Sequence, residues 1–207
     1  LKGYQPVDLS LTTLDDTSLA KIKEDERKKA AKAAEDAIKK AQEESKRKAF
    51  ILAEEALIQT RKQNEIKAKM LADKVVHSLA ISVETKDGVV KLAGNIKTEL
   101  EATQAVEIAA STPGVKDVDA LALRIEGSTQ PFTDAIITGK VKGAFIREKL
   151  FGDKKLDSTG VKVETKEGVV YLSGTLKNVE ESKNAAKLAE AVEGVKKVES
   201  TITVKGS

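Results

Sequence analysis

Of the side chains best suited to chemistry, histidine occurs once in the 207 residues and cysteine not at all. The single histidine, His77, lies where a helical pattern gives way to a strand pattern. With no second imidazole and no thiolate to complete a catalytic or metal site, it reads as a solvated loop residue. Serine and threonine hydroxyls lack the base that would activate them. Carboxylates are plentiful, but in the helical stretches they stand opposite lysines four positions on, a pattern of surface solvation rather than of acid–base work. Gly88 and Gly94 fall at a hairpin turn and a strand end, not in a strand-to-helix GxGxxG or a P-loop. Thirty-six basic against thirty-three acidic residues, with no Trp, two Tyr and four Phe, give neither the net charge nor the stacking aromatics of a nucleic-acid binder. The expectation is a non-enzymatic protein without metal or cofactor.

One surface has a chemistry of its own. On a wheel of ~100° per residue, Phe132, Ile136, Gly139, Gly143, Ile146 and Leu150 form one apolar stripe, and Ile137, Val141, Ala144 and Phe145 a second facing elsewhere. The first is expected to pack on its own sheet, with Gly139 and Gly143 allowing close backbone approach. The second is flanked by Lys140, Lys142, Arg147, Lys149, Lys154 and Lys155, partly offset by Glu148 and Asp153. A basic amphipathic face of this kind suits an anionic lipid headgroup layer. The alternative is that another part of the chain, the preceding domain or the long N-terminal arm, packs on the second stripe.

The elements that must position this face form a repeat. ISVETKDGVVKLAG from Ile81 and VKVETKEGVVYLSG from Val161 align at a constant offset of eighty. The match extends from Asp73-Lys74 with Asp153-Lys154 to TPGVKDV with VEGVKKV, after which the first copy carries one extra residue, read as a bulge or a longer loop. Within each copy, Ile81, Val83, Val90 and Leu92, or Val161, Val163, Val170 and Leu172, alternate as two short strands around Asp87-Gly88 or Glu167-Gly168, a hairpin. Helical spacing over 97–111 and 177–192 follows, closed by Gly114 and Gly194, and then a third strand. With a helix before each hairpin the order is α-β-β-α-β twice, an α+β architecture with two helices on one face of a three-stranded sheet.

The initial helix, VETK(D/E)GVV.L.G, the Ala-rich helix and (P/E)GVK.V before the last strand together resemble the BON domain, over about 54 to 127 and 132 to 207. The resemblance implies a tandem protein of the bacterial periplasm, of the osmotic-stress or outer-membrane maintenance type, whose relatives are proposed to bind phospholipid surfaces. Outer-membrane association belongs to that expectation, and no enzymatic activity is implied.

The rest of the chain departs from the pattern. The reading divides it into an N-terminal tail (1–17), a charged Ala-rich helical extension (18–53), a first domain (54–127), a GSTQP-centred linker (128–131) and a second domain (132–207). Unbroken from Thr17 to about Ala72, the helix would be on the order of 80 Å long at ~1.5 Å per residue. Six acid-to-base pairs four residues apart, such as Glu24 with Lys28 and Glu44 with Lys48, support it in water. Ala30, Ala33, Ala37 and Ala41 offer a close contact for a homo-oligomer, while Ile38 alone between Lys23 and Ala49 is too little for a leucine zipper. A rival reading starts the first domain at about 15 and treats the charged stretch as an insertion. The start LKGYQPVDLS shows no export signal, so one is either absent or removed before this numbering. The leading functional expectation is a periplasmic protein that docks to anionic phospholipid through the helix 132–151. Its competitor is a scaffold for other proteins or for itself.

Overall fold

The computed structural model describes residues 16–152 and 156–205. Contacts divide the chain into two compact units, Leu1–Glu54 and Glu55–Ser207.

In the first unit the described residues belong to one helix, α1 (Asp16–Ala72), which continues into the second. All of residues 16–54 but Ser18 are exposed. Helix formation here rests on Ala, Lys and Glu propensity and on pairs such as Glu24–Lys28 and Glu44–Lys48, both at 2.8 Å. At such exposure each pair contributes only a few tenths of a kcal/mol.

In the second unit the end of α1 joins β1 (Ile81–Lys86), β2 (Val89–Ile96), α2 (Glu99–Ala110) and β3 (Asp117–Ile125) as the first domain. The second domain repeats them as α3 (Thr133–Phe151), β4 (Val161–Lys166), β5 (Val169–Leu176), α4 (Val179–Glu190) and β6 (Lys197–Val204). Each sheet has the strand order of its sequence, an antiparallel hairpin followed by a parallel third strand reached through the intervening helix. The fold is α+β, with two helices on each sheet. Both hairpins turn through two residues of positive φ, Asp87-Gly88 and Glu167-Gly168, the type I′ geometry that matches the strand twist. The extra residue of the first copy is a bulge: the β2–β3 register slips between Lys91 and Ala93, so that Ala120 and Leu121 share one position.

A capping box starts each second helix. Thr98 and Asn178 accept from the N–H of Glu101 and Glu181, whose own carboxylates reach back to the N–H of Lys97 and Lys177. The Glu101 carboxylate is buried, and it also accepts from the N–H of His77 at 2.7 Å, tying the loop after α1 to α2. Burial pushes this carboxyl up, but the backbone donors of Lys97 and His77 and the His77 ring hold it, on balance, below its usual value.

The described residues form two cores. Ile66 and Met70 of α1 join the sheet and α2 in the first. In the second, Ile137, Val141 and Phe145 of α3 lie on β4, β5 and α4. This reverses the expected roles of the two stripes of α3. The stripe expected to be free fills its own domain's core, and the stripe expected on its own sheet faces the first domain, where Ile136 and Phe132 join the other core. The cause is register. A constant offset of eighty pairs the core residue Ile66 with Ile146, yet Phe145, one position and ~100° earlier, fills the second core.

Candidate functional site

The candidate site is on α3, and the glycine stripe of that helix is the contact between the two domains. At Gly139 an added Cβ would lie 2.5 Å from the Thr103 carbonyl oxygen, and at Gly143 it would lie 2.5 Å from the Ala110 Cβ. These glycines let the backbones of α2 and α3 close to a distance no larger residue permits. Thr103 Oγ1 donates to the Ala135 carbonyl at 3.2 Å across the same contact.

The charged candidates flank this seam. Lys140 is nearly buried and bridges Asp117 of β3 at 2.8 Å and Glu193, beyond α4, at 3.4 Å. Burial pushes the Asp117 carboxyl up and the Lys140 ammonium pulls it down, with the second effect winning. Arg147 donates to the carbonyl oxygens of Ala110 at 2.9 Å and Val115 at 2.7 Å, closing the C-terminal end of α2. Lys142 is half-buried near Glu107, whose carboxyl burial raises and Lys142 partly lowers.

Of the ten residues expected to meet lipid, Ile137, Val141, Ala144 and Phe145 are therefore buried. Lys140 and Arg147 hold the domains together, and Lys142 lies beside the seam. Lys149 is exposed and pairs with Asp157 at 3.2 Å, a carboxylate that Thr159, Lys177 and Lys149 hold well below its usual range. Lys154 and Lys155 lie outside the described residues. Where α3 ends, Leu150 and Phe151 are about three-fifths exposed beside Lys149, so this turn is what remains of the amphipathic face. His77 is exposed, as a loop residue, but its ring Nδ1 sits 3.2 Å from the buried Glu101 carboxylate.

Sequence reasoning gave the preceding domain as an alternative partner of α3, but on the second stripe, and did not single out α2 as the element that packs on the first. On α2 the outer positions Thr103 and Val106 and the inner Ala105 and Ala109 are all buried. Eighty residues on, α4 carries Lys183, Lys187 and Glu190 outward and buries only Glu181, Ala185 and Ala189. A second helix with Thr103, Val106 and Ala110 in one copy where the other has Lys183, Ala186 and Glu190 was the readable signal. Among the described residues no helix is long and apolar enough to cross a membrane.

Comparison with known proteins agrees with this architecture. Osmotically inducible protein Y of Escherichia coli (strain K12) is 38% identical over 134 residues, covering 63% of this chain and 64% of that protein. The chain thus matches somewhat less than two thirds of that relative's length. Two solved structures of CdsD, a structural protein of the type III secretion system of Chlamydia trachomatis, also align. The C-terminal domain is 14% identical, with a TM-score of 0.30 over 71% of this chain and 67% of that one. The other is 10% identical, with a TM-score of 0.29 over 70% and 92%. Overlap that slight carries no functional weight. Residues 60–126 and 133–206 each match the BON domain, and the chain belongs to that family, in which it is a tandem member.

Proposed function

We propose that this is a non-enzymatic envelope protein of the osmotic-stress type, acting in the periplasm by binding, with the second BON domain docking to anionic phospholipid. The observation that carries the reading is the tandem BON match together with 38% identity to osmotically inducible protein Y. The surface that supports lipid contact is the last turn of α3, where exposed Leu150 and Phe151 adjoin Lys149. Apolar side chains that enter the interface beside a cation that stays in the headgroup layer are the usual arrangement of a peripheral contact. Outer-membrane association belongs to the same proposal.

The test is sedimentation with phosphatidylglycerol-containing and with neutral vesicles. Wild type should pellet with the former, and Leu150→Glu/Phe151→Glu should stay in solution. Equal pelleting of the two proteins would rule out this turn as the contact. A Lys140→Glu/Arg147→Glu protein is unsuited to the purpose, because both residues serve the domain contact.

A scaffold reading is favoured by a different observation. Phe50, Ile51, Leu52, Leu57 and Ile58, close together on α1, are all large, apolar and exposed. Self-association through α1 would cover them, and a molar mass that rises with protein concentration in light scattering would support it. Leu52→Glu/Leu57→Glu should abolish the rise.

A further inference from the structure

β3 pairs with β2 on one side, and its other side is a sheet edge. Along that edge, between β3, α3 and the connection 126–132, runs a groove made of two clefts of about 440 and 380 Å³. They are continuous, sharing Ala120, Leu121, Thr133 and Ile136, and much of their lining is apolar. Leu121, pushed out by the bulge, is 75% exposed.

Backbone groups at this edge are held by side chains. The Asp119 carboxylate accepts from the Leu121 N–H at 3.1 Å. The Arg124 guanidinium donates to the carbonyl oxygens of Leu121 at 2.5 Å and Leu123 at 2.7 Å. An acceptor and a donor thus stand where a neighbouring strand would place its C=O and N–H. Bulges and charged side chains also blunt edges against indiscriminate pairing. Blunting does not require an apolar groove beside the strand, and here one runs past the capped groups.

We propose that this groove takes an extended segment of another polypeptide as an added strand beside β3, displacing Arg124. Alternate side chains of the segment would seat between Leu121 and Ile136. A strand edge opposite a helix face is a recurring geometry for peptide capture: main-chain hydrogen bonds supply affinity, and pockets for every second side chain supply selectivity. The chemistry favours polypeptide over lipid, because backbone donors and acceptors at strand spacing match another backbone and nothing in an acyl chain. Arg124 is half of a gate, since its removal leaves two carbonyl oxygens free for a strand.

The test uses the full chain and a fluorescein-labelled probe, EVTVSVTVK, with EVPVPVPVK as the control that cannot donate at alternate positions. Fluorescence anisotropy should show saturable binding of the first probe and none of the second. Leu121→Lys should weaken binding about tenfold through lost apolar contact. Arg124→Ala should strengthen it about threefold by freeing ladder positions. Both residues lie on the surface strand edge, so both variants should keep the wild-type amide spectrum. In the wild-type protein, probe-induced amide shifts should be confined to 117–125 and 131–140. Equal binding of the proline probe, or weaker binding by Arg124→Ala, would overturn strand addition. Shifts of the same amides by phosphatidylglycerol vesicles but not by the probe would make the groove a lipid site and sink the proposal.

Discussion

At the residue scale, the informative groups are ionisable side chains caught between the two BON domains. Asp117 and Glu193 share the Lys140 ammonium, and Asp117 keeps its proton off more readily than a free carboxylate. A carboxyl whose folded pKa is depressed stabilises the fold fully above its unfolded value, ~3.9 for Asp, and loses that contribution as the pH falls through the folded value. The contact should therefore hold from neutral pH down to about pH 4 and weaken below it. Glu107 has the opposite sign. Its raised carboxyl favours the folded state slightly as the pH falls toward the carboxylate range, and so offsets part of the early loss. Thermal unfolding followed from pH 7 to pH 2 should show the wild type losing more stability below pH 4 than Asp117→Asn does. Parallel curves for the two proteins would show that Asp117 contributes no pH-dependent stability.

At the element scale, the contact of α2 with α3 depends on two glycines. Alanine at Gly143 should gain ~0.8–1.0 kcal/mol of helix propensity. It would also place a methyl 2.5 Å from the Ala110 Cβ, well inside ordinary contact, so that one helix must shift. Overpacking of this kind costs ~1–3 kcal/mol and exceeds the propensity gain unless the helices part easily. Gly143→Ala is expected to lower stability by about 1–2 kcal/mol in urea unfolding, with faster amide exchange along both helices. A stabilised variant would show that the helices separate at little cost. What could be read in advance follows from the same geometry. The hairpins were legible because Asp87-Gly88 and Glu167-Gly168 must take positive φ wherever the domain sits. The extra residue of the first copy was legible as a bulge or a longer loop, and the slip between Lys91 and Ala93 decides for the bulge. The facing of α3 was not, because a one-residue shift between copies rotates a helix by ~100° and exchanges its stripes. A repeat offset taken from strands cannot reveal such a shift. Amphipathicity alone did not reveal which neighbour covers each stripe of α3: α2 packs on the glycine stripe, and the stripe expected to meet lipid fills the core of its own domain.

At the scale of the whole molecule, the two BON domains should not unfold independently, although each has its own sheet and core. Ile136 of the second domain is buried in the core of the first, and Val106 of the first is fully buried beside Gly139 of the second. A fully buried side chain of this size is worth ~1.5–3 kcal/mol. Two of them, with the Arg147 hydrogen bonds, give a coupling of several kcal/mol, comparable to the ~5–15 kcal/mol that a whole domain can lose. Coupling of that size favours one transition. Calorimetry of the wild type should show a single peak for Glu55–Ser207, with equal van't Hoff and calorimetric enthalpies. The triple variant Gly139→Ala/Gly143→Ala/Arg147→Ala forces the helices apart and removes the clamp on Ala110 and Val115. It should split the peak in two, with neither sheet losing its strand signature in the far ultraviolet before its own transition. Two peaks in the wild type would mean that the contact contributes little and that the domains are joined chiefly by the chain. One peak in the triple variant would mean that the coupling runs through parts of the contact other than the glycine seam and its clamp.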